Sequence, residues 1–596
     1  MSALILALAL TVPSVGEVKV ECGDPGPWRI EMSATHPEPD VDIVKVAMKA
    51  DRPARPPHFE FRWFLHQRGI HHVWSAGADH YGIPWWTEYA SELTKDLPLY
   101  AYMDADDGNR LTVACSETVR RVSLRTPILE EDMGFQCAFI LFREPQQEAL
   151  AEYAVEFRFD RRRRFYGETI QDGVAWMEAS AGLRPLEAPD AAFEPLYSTW
   201  YDFHQHVSAE ALERECVRAE KLGMKSVILD DGWQIDLPDE ERRAWTGYRY
   251  AGDWKPGHGF PDMAAHVGRV QGLGFRYLVW FSVPLVGCKT ANDRRFGDKF
   301  LPGEFNGARA LDPRFPEVRD HLVSTLVEAV REWKLDGLKL DFLEHFKAVE
   351  GEDPIRPGDG RDIASVPLAA KALLDALIPR LKSVNPGILI EFRQSYVGPA
   401  MRQYGNMLRA TDCPLSMTEN RTRIARLRLT SGGTAVHSDM LEWREDETTE
   451  SAARCVLNSI FGVVQYSVHL DRLPADHLRM IGHWIRFSRE HRKALVRGRF
   501  RPHGPAFGYP LLEGESADER IFGVYQRGLT VRTGPLDRPV IVLNATDDSR
   551  LSLDLPGEAT VATFDTCGSP SENQTLAPGL NRVVVPRSGF AVIRAK

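Results

Sequence analysis

The pattern of hydrophobic and polar positions changes twice along the chain and divides it into three predicted parts. Residues 1–165 contain short alternating runs, such as Val18–Cys22 and Leu111–Cys115, separated by turns rich in proline and glycine. This rhythm is typical of an antiparallel β-sandwich. Similar runs return after about residue 500, among them Pro539–Leu543 and Val561–Phe564. They predict a smaller C-terminal antiparallel β-domain, also a sandwich.

Between these parts, apolar strands alternate with helical segments, which predicts the βα units of a parallel sheet. Ser208 is a predicted N-cap of a helix that runs to Lys221, and Gly223 is its predicted stop. Pro316–Trp333 carries a helical apolar stripe. The candidate strands are Leu196–Phe203, Ser226–Asp231, Arg276–Ser282, Gly337–Phe342, Ile388–Arg393, Met407–Asp412, Thr434–Asp439 and Val463–Val468. This strand count, within about 300 residues, predicts a (β/α)8 TIM barrel. An open doubly wound sheet is less favoured, because no GxGxxG follows the first strand.

The predicted α/β architecture is therefore a TIM barrel flanked by two β-domains. Its boundaries are an N-terminal β-sandwich over 1–165, a linker over 166–194, a catalytic barrel over 195–497 and a C-terminal β-sandwich over 498–596. Leu4–Val12 is apolar, but no lysine or arginine precedes it. We interpret it as a first β-strand rather than as a signal peptide.

Composition narrows the range of partners. The 596-residue chain carries a net charge of −11, which disfavours nucleic-acid binding. Its 8 cysteines are scattered without CxxC pairs, so a zinc ribbon, a redox motif and a disulfide scaffold are disfavoured. No apolar run reaches the roughly 18 residues of a membrane helix. We expect a cytoplasmic protein without nucleic-acid or membrane partners; the oligomeric state stays open, a homo-oligomer included.

Acidic residues follow several of the predicted barrel strands, at the end where TIM barrels bind ligands. Asp230 and Asp231 end the second strand, and Asp341 ends the fourth. The simpler interpretation, that such acids cap the next helix, is weaker for the adjacent pair because a Gly-Trp sequence follows it. Lys339 lies two residues before Asp341 on the same side of the strand, and a nearby ammonium group would keep that carboxylate ionised.

Tryptophans accompany these acids. Trp200, Trp233 and Trp280 lie near the ends of three predicted strands. Aromatic faces pack against the apolar side of a pyranose ring, while carboxylates accept hydrogen bonds from its hydroxyl groups. The combination predicts a sugar site, with barrel packing as the alternative for each tryptophan.

Together, the motifs resemble those of melibiase-type α-galactosidases, which belong to glycoside hydrolase clan D, and they are more similar to family 36 than to family 27. The similarity covers about residues 195–470. The motifs are Ser198–Trp200, Leu229–Trp233, Val279–Phe281, Leu311–Pro313, Pro316–Arg319, Lys339–Asp341 and Thr411–Asp412. The resemblance implies an N-terminal β-sandwich, a barrel, a C-terminal β-domain and a role in carbohydrate metabolism.

The resemblance also implies roles for individual residues. Asp341 matches the family's nucleophile and Asp412 its acid/base. Asp230 and Asp231 match the pair that binds sugar hydroxyls, and Lys339 and Trp280 match other sugar-contacting positions. Further candidate substrate contacts are Trp200, Trp233, Glu391, Arg393, Arg402, His437 and Asp439. Asp439, with His437 on the same side of its strand, is also the rival candidate for the acid/base.

The implied reaction is hydrolysis of an α-glycoside with retention, by double displacement, without a metal or an organic cofactor. Retention predicts a separation of about 5–5.5 Å between the two carboxyl groups. Asp341 should stay ionised, and Asp412 should have a raised pKa so that it can donate a proton. Strand alternation should direct Arg409 away from Asp412.

The sequence departs from the family pattern where substrate identity would be set. Phe281–Pro284 reads Phe-Ser-Val-Pro instead of Phe-Glu-Pro-Glu, and Glu391–Tyr396 replaces a loop rich in cysteine and glycine. Galactose therefore follows from the resemblance alone. The alternatives are another α-glycoside, such as an α-N-acetylgalactosaminide, and a carbohydrate-binding protein without activity. A metal-dependent hydrolase is disfavoured because no HxH or HExxH is present. Its candidate ligands would be Asp230, Asp231, His345, His437 and Asp439.

Overall fold

The N-terminal part consists of two antiparallel sheets that share one core. The computed structural model describes residues 6–77, 82–83, 85–144, 147–237, 245–348 and 359–596. The strands of this part are β1 (Leu6–Val12), β2 (Gly16–Cys22), β3 (Trp28–Glu38), β4 (Val41–Ala54), β5 (Phe59–His66), β6 (His72–Ser75), β7 (Glu88–Ser91), β8 (Leu99–Met103), β9 (Asn109–Cys115), β10 (Val122–Arg125), β11 (Ile128–Leu129), β12 (Gly134–Leu141) and β13 (Leu150–Asp160). One sheet has the order β1-β2-β5-β12-β10-β7, with β11 beside β12, and the other has the order β3-β4-β13-β9-β8-β6.

Strand β5 illustrates why this sequence forms such a sheet. Phe59, Phe61 and Trp63 alternate with polar residues and are buried between the two sheets. Phe61 stacks on Phe157 of the opposite sheet, with ring centroids 3.9 Å apart. β1 agrees with the predicted first strand from Leu6 onward, while residues 4 and 5 lie outside the described residues.

The central part is a parallel barrel, which confirms the predicted fold class. Its strands are β14 (Leu196–Ser198), β15 (Ser226–Leu229), β16 (Arg276–Ser282), β19 (Gly337–Asp341), β20 (Leu389–Arg393), β21 (Met407–Arg409), β22 (Ala435–His437) and β23 (Gln465–Tyr466). They form one sheet with the order β22-β21-β20-β19-β16-β15-β14-β23. A parallel bridge between His437 and Val463 brings the two edges together. The pair β17 (Leu285–Gly287) and β18 (Ala308–Ala310) forms a small antiparallel ribbon after β16.

The helices surround this barrel; the helix Pro316–Trp333 has the predicted bounds, and the helix Ala209–Leu222 ends one residue beyond its predicted end, Lys221. The helices are α1 (Tyr166–Ser180), α2 (Trp200–Phe203), α3 (Ala209–Leu222), α4 (Met263–Gly272), α5 (Ala291–Phe296), α6 (Pro316–Trp333), α7 (Val366–Val384), α8 (Met417–Thr430), α9 (Thr449–Ser459) and α10 (Ala475–Glu490). The hydroxyl group of Ser208 accepts a hydrogen bond from the Ala211 amide at 3.3 Å, which caps α3. Gly223 follows α3 at φ +101°, the left-handed conformation that favours glycine.

Two predicted features differ from the structure. The segment predicted as a linker contains α1, because Ile170, Val174 and Met177 form an apolar stripe that packs against the N-terminal sheets and the barrel. Strands β14 and β23 are shorter than predicted, and the predicted end of β14 is α2, Trp200–Phe203. Strands β15, β21 and β22 are also shorter and end at Leu229, Arg409 and His437. The acids that follow them therefore lie on loops beyond the strand ends.

The C-terminal part is again antiparallel for most of its pairs and has a separate small core. Its strands are β24 (Arg499–His503), β25 (Leu511–Glu515), β26 (Arg520–Val524), β27 (Thr530–Arg532), β28 (Val540–Asn544), β29 (Arg550–Leu555), β30 (Ala559–Phe564), β31 (Pro570–Leu576), β32 (Gly579–Val584) and β33 (Phe590–Ala595). They form sheets with the orders β24-β25-β26-β28-β33-β30-β31 and β27-β29-β32. Within the described residues, no helix has both the length and the apolar character needed to cross a membrane.

Candidate active site

Asp341 is the most constrained carboxylate at the barrel mouth. It is the last residue of β19, and 6% of it is exposed. Its Oδ1 accepts hydrogen bonds from the Arg393 Nε at 2.6 Å, the Phe342 amide at 2.8 Å and the Tyr396 hydroxyl at 3.2 Å. Its Oδ2 accepts one from the Trp280 indole at 2.8 Å. Both oxygens are therefore fixed in direction.

The charges around Asp341 keep it ionised. Burial alone would raise its pKa, but Arg393, Lys339 and Arg409 outweigh burial and hold the pKa well below its usual range. Arg393 contacts the carboxylate directly, whereas the ammonium group of Lys339 contacts Oδ2 of Asp230. The expectation that Lys339 helps to keep Asp341 ionised agrees with this electrostatic picture, but the cation in contact is an arginine.

The two adjacent acids after β15 are both buried and have different partners. Asp230 pairs with Lys339, and its Oδ1 accepts a hydrogen bond from the Asp231 amide at 2.9 Å. Asp231 accepts side-chain amide hydrogen bonds from Gln234 and Gln205, each at 2.6 Å. Burial raises the pKa of Asp231 to about 6 in spite of these donors. Of the two, Asp230 belongs to the charged cluster that includes Asp341.

The three tryptophans have three different environments. Trp233 is 0% exposed, and its indole donates to the Trp280 carbonyl at 3.0 Å. It therefore supports the barrel mouth from below and does not line it. Trp280 is 1% exposed and holds Asp341 through its indole nitrogen. Trp200 begins α2, is half-buried and packs edge-on against His204, with ring centroids 4.9 Å apart.

Asp412 is the accessible carboxylate of the site. It lies beyond the end of β21, and 51% of its side chain is exposed. Its Oδ1 accepts a hydrogen bond from the Arg409 Nη2 at 2.8 Å. The prediction that Arg409 points away from Asp412 is wrong, because β21 ends at Arg409 and the chain then turns, which cancels the alternation.

The contact with Arg409 also changes the protonation of Asp412. Burial of the carboxyl group by the surrounding protein favours its neutral form and would raise its pKa, even though half of the side chain is exposed. Arg409 opposes this, supported by Lys339 and Arg393, and the pKa lies below its ordinary value. The expectation of a raised pKa for Asp412 is therefore wrong for the protein without substrate. Asp341 is close enough for its negative charge to oppose ionisation of Asp412.

Asp439, the rival acid/base candidate, has no exposed side-chain surface. Its Oδ1 accepts a hydrogen bond from the Arg409 Nη1. Its Oδ2 accepts hydrogen bonds from the Cys413 amide at 2.7 Å and the Tyr201 hydroxyl at 2.9 Å. Burial raises its pKa above the ordinary value. The occupied oxygens leave little room for contact with a substrate.

Glu391 and His437 lie in the barrel interior rather than at its mouth. Both side chains are 0% exposed. The carboxylate of Glu391 accepts a hydrogen bond from Gln465 at 2.5 Å, and burial raises its pKa to about 7. The imidazole Nε2 of His437 lies 2.7 Å from the Ala192 carbonyl, and burial lowers the pKa of this histidine to about 4. They form a buried polar layer below the site.

The two candidate arginines lie at opposite faces of the barrel. Arg393 contacts Asp341, and its Nη2 donates to Glu344 at 2.6 Å. Arg402 instead donates to the Ser431 carbonyl at 2.6 Å and pairs with Glu178. It lines a cavity of about 500 Å³ near the start of β22, so the structure does not bring it to the site.

A cavity of about 320 Å³ lies beside the site, lined in part by Glu344, Arg393 and Thr411. The N-terminal part contributes Lys95 and Asp96 to its wall. The Asp96 amide donates to the Ser395 carbonyl at 2.6 Å, which joins this loop to the barrel. The first β-domain therefore helps to shape the mouth of the barrel.

The candidate metal ligands of the alternative reading are not assembled. Within the described ranges, the one group of three potential ligands that lie within 4.8 Å of one another is Glu215, His469 and Asp471. It shares no member with the set containing His345 and His437. His345 lies among aromatic rings, and burial lowers its pKa to about 4.

Sequence reasoning missed several polar residues of the site, which lie beyond strand ends. They are Tyr201, Gln205, Glu344 and Tyr396. Arg409, the last residue of β21, was instead expected to point away from Asp412. Tyr201 directly follows a residue that was singled out, so proximity to a strand end was a usable signal. For Gln205 and Tyr396, which contact the site from loops, the sequence contained no pattern that would have identified them.

No protein-family model matches the chain. Alpha-galactosidase Mel36A of Lactobacillus acidophilus is 24% identical over 202 residues, which are 33% of this chain. The match spans 26% of the length of that relative.

Solved structures extend the similarity to the whole chain. The GH36 alpha-galactosidase AgaA from Geobacillus stearothermophilus matches with a TM-score of 0.67 at 14% identity, covering 100% of this chain and 88% of that one. The alpha-galactosidase from Lactobacillus brevis gives 0.66 at 13% identity, with coverages of 100% and 85%. Variants of AgaA are known in complex with stachyose and with 1-deoxygalactonojirimycin. The chain thus has the fold of these α-galactosidases, as the motifs led us to expect.

Proposed function

We propose that the protein hydrolyses α-glycosides, α-galactosides first among them, with retention of anomeric configuration. The observation that carries this proposal is the pairing of two carboxyl groups of different character. Asp341 is buried, ionised and held by Trp280 and Arg393. Asp412 is half-exposed and lies within electrostatic reach of it. A retaining glycosidase requires such a fixed nucleophile facing an accessible acid/base.

In the first step, a carboxylate oxygen of Asp341 attacks the anomeric carbon while the bond to the leaving oxygen breaks. Oδ1 already has three donors, whereas Oδ2 has only the Trp280 indole among the described residues. Oδ2 therefore has more lone-pair density available for attack. Asp412 gives its proton to the departing oxygen, so that the leaving group departs as a neutral alcohol.

In the second step, water attacks the same carbon and displaces Asp341. Asp412, now a carboxylate, removes a proton from that water and returns to its acid form. The two inversions together restore the original α-configuration. Neither step needs a metal ion or an organic cofactor.

The electrostatics of Asp412 restrict the pH at which this cycle begins. Arg409 favours the carboxylate form of Asp412, whereas the first step needs the acid form. Activity should therefore decrease as the pH rises and Asp412 loses its proton. This decrease should begin at a lower pH than it would if the pKa of Asp412 were raised. Substrate binding would displace water around Asp412 and so favour its protonated form.

Sugar recognition is proposed for the charged groups beside the nucleophile. Asp230 and Lys339 are in contact with each other and offer an acceptor and a donor to sugar hydroxyl groups. Trp200 is the half-buried tryptophan of the three and is the candidate surface for the apolar side of a pyranose. Galactose is proposed because the similar proteins are named α-galactosidases, and variants of one of them, AgaA, form complexes with stachyose and with raffinose. Oligosaccharides are thus the proposed natural partners.

The direct test is a panel of aryl α-glycosides that contains α-galactoside, α-N-acetylgalactosaminide and α-glucoside. We expect the α-galactoside to be cleaved fastest, and NMR should detect the α-anomer of the released sugar first. Release of the β-anomer first would exclude the double displacement. The absence of cleavage on the whole panel would favour the carbohydrate-binding alternative.

A further inference from the structure

Asp439 contacts two groups that adjoin the acid/base candidate, although its own side chain has no exposed surface. Its Oδ1 receives one terminal nitrogen of Arg409, and the other terminal nitrogen of that guanidinium donates to Asp412 at 2.8 Å. Its Oδ2 receives the Cys413 amide at 2.7 Å, which is the amide directly after Asp412. Asp439 thus holds both the cation that contacts Asp412 and the backbone that carries it.

We propose that Asp439 is a positioning residue for Asp412, acting through the Arg409 guanidinium and through the Asp412–Cys413 peptide. The inference rests on the proposed function, in which Asp412 is the acid/base. Two effects follow from the geometry. The peptide contact fixes the direction from which Asp412 approaches the leaving oxygen. Through the guanidinium contact, Asp439 also pairs with the charge of Arg409. The effect of Arg409 on Asp412 is therefore weaker than it would be without Asp439.

The second effect has a defined sign. Asp439 and Arg409 face Asp412 from the loop after β22 and from β21, and Glu391 lies 3.8 Å from the Arg409 Nε. Lys339 and Asp341 of β19 and Arg393 of β20 also act on Asp412, and Arg423 of α8 donates to its carbonyl oxygen at 3.1 Å. Removing the negative charge of an ionised Asp439 strengthens the effect of Arg409 on Asp412 and removes a like charge nearby. Both changes favour the carboxylate form of Asp412.

The variants Asp439→Asn and Asp439→Ala separate the two effects. The amide in Asp439→Asn keeps an acceptor for the Cys413 amide but removes the charge. At pH values where Asp439 is ionised in the wild type, the loss of its charge should lower the pKa of Asp412, so we expect the alkaline limb of the kcat/KM profile to move to lower pH. Asp439→Ala removes both contacts, and we expect the same shift together with a kcat that is lower by about ten- to a hundredfold on poor leaving groups.

One further variant serves as the control. Glu215→Gln alters another buried carboxyl group, with raised pKa, that does not contact Arg409, and it should leave the profile unchanged. If Asp439→Asn and Asp439→Ala also match the wild type within about twofold in kcat and within about 0.3 unit in the pH of the alkaline limb, the positioning role is refuted.

Azide distinguishes positioning from direct catalysis. A variant that lacks the acid/base should be accelerated by azide and should form an α-glycosyl azide, because azide replaces the base-activated water. We expect this with Asp412→Ala and not with Asp439→Ala; the reverse result would make Asp439 the acid/base. If the wild type cleaves no α-glycoside, the proposed function fails, but a crystal structure of Asp439→Ala still decides the positioning claim. Unchanged placement of Arg409 and Asp412 in that crystal structure would overturn it.

Discussion

The Trp280 indole donates a 2.8 Å hydrogen bond to Oδ2 of Asp341, and the two side chains lie on neighbouring strands of the barrel. The register between β16 and β19 pairs Trp280 with Lys339 and Ser282 with Asp341. Each side chain is therefore placed by a hydrogen-bonded strand rather than by a loop. A site on such rigid elements loses little entropy when it orients a substrate.

This relationship predicts the effect of Trp280→Phe. The substitution keeps an aromatic ring but removes the donor, so Asp341 loses one of its fixed directions. We expect kcat to fall by about tenfold to a hundredfold, since hydrogen bonds to charged groups contribute about 1.5–3 kcal/mol. Steady-state kinetics on an aryl α-galactoside measures the effect. A kcat equal to that of the wild type would mean that the indole does not orient the nucleophile.

Removal of the Arg393 charge should change the pH dependence of activity. Arg393 is in direct contact with Asp341 and helps to hold its pKa well below the usual range. In Arg393→Met the pKa of Asp341 should rise, and the acidic limb of kcat/KM should move to higher pH, because the nucleophile must be ionised. Arg444→Met, at an exposed arginine paired with Asp446, is the control and should leave that limb in place. If the acidic limb of Arg393→Met lies at the same pH as that of the wild type, Arg393 does not lower the pKa of Asp341.

Trp233→Phe should affect stability more than substrate binding. The indole of Trp233 is fully buried and donates to the Trp280 carbonyl. Its loss leaves a buried carbonyl without that donor and should lower the free energy of unfolding by about 1–3 kcal/mol. Chemical denaturation measures this value, and KM should change by less than about threefold if Trp233 does not contact the sugar. A large rise in KM with unchanged stability would instead support the sequence prediction of a sugar contact.

His503 predicts a pH-dependent term in the stability of the whole chain. Asp107 of the N-terminal part and Glu513 of β25 lie 3.4 and 3.6 Å from its ring nitrogens. Burial lowers the pKa of His503, but hydrogen bonds to these acids outweigh it and raise the pKa to about 9. The stabilisation is fully present below about pH 6.5 and is lost as pH rises towards 9.

The comparison variant for this term is His503→Gln. Since the side chain is partly exposed, we expect the free-energy difference between wild type and variant to be about 1–3 kcal/mol at pH 6. The difference should shrink towards pH 9. Denaturation curves at several pH values measure it, and a difference independent of pH would show that the histidine is not charged in the folded protein.

The sequence predicted the fold well because barrel strands carry a strong local signal. Strand β16 and helix α6 have the predicted bounds, Arg276–Ser282 and Pro316–Trp333. Their apolar periodicity is continuous from end to end, so local pattern and tertiary structure agree. The bounds of β21 and β22 were less accurate, since these strands are only three residues long and are followed by loops.

The candidate site was harder to predict, because contacts between loops do not follow strand alternation. Arg409 was expected to point away from Asp412, yet the turn after β21 brings the two side chains together. Lys339 acts on Asp341 as expected, but the sequence did not predict its contact with Asp230, which follows another strand. Both contacts involve partners that are distant in sequence or lie beyond a strand end, where periodicity carries no information.

The central claim is that Asp341 forms a covalent bond with the sugar, and trapping that bond tests it most directly. A fluorinated α-galactosyl fluoride, whose fluorine destabilises the transition states of both steps, should leave the glycosyl-enzyme long-lived. Peptide mass spectrometry of the inactivated protein should then find one sugar on the peptide that contains Asp341, and none in Asp341→Ala. A sugar on a different carboxylate, or full activity without any label, would contradict the account.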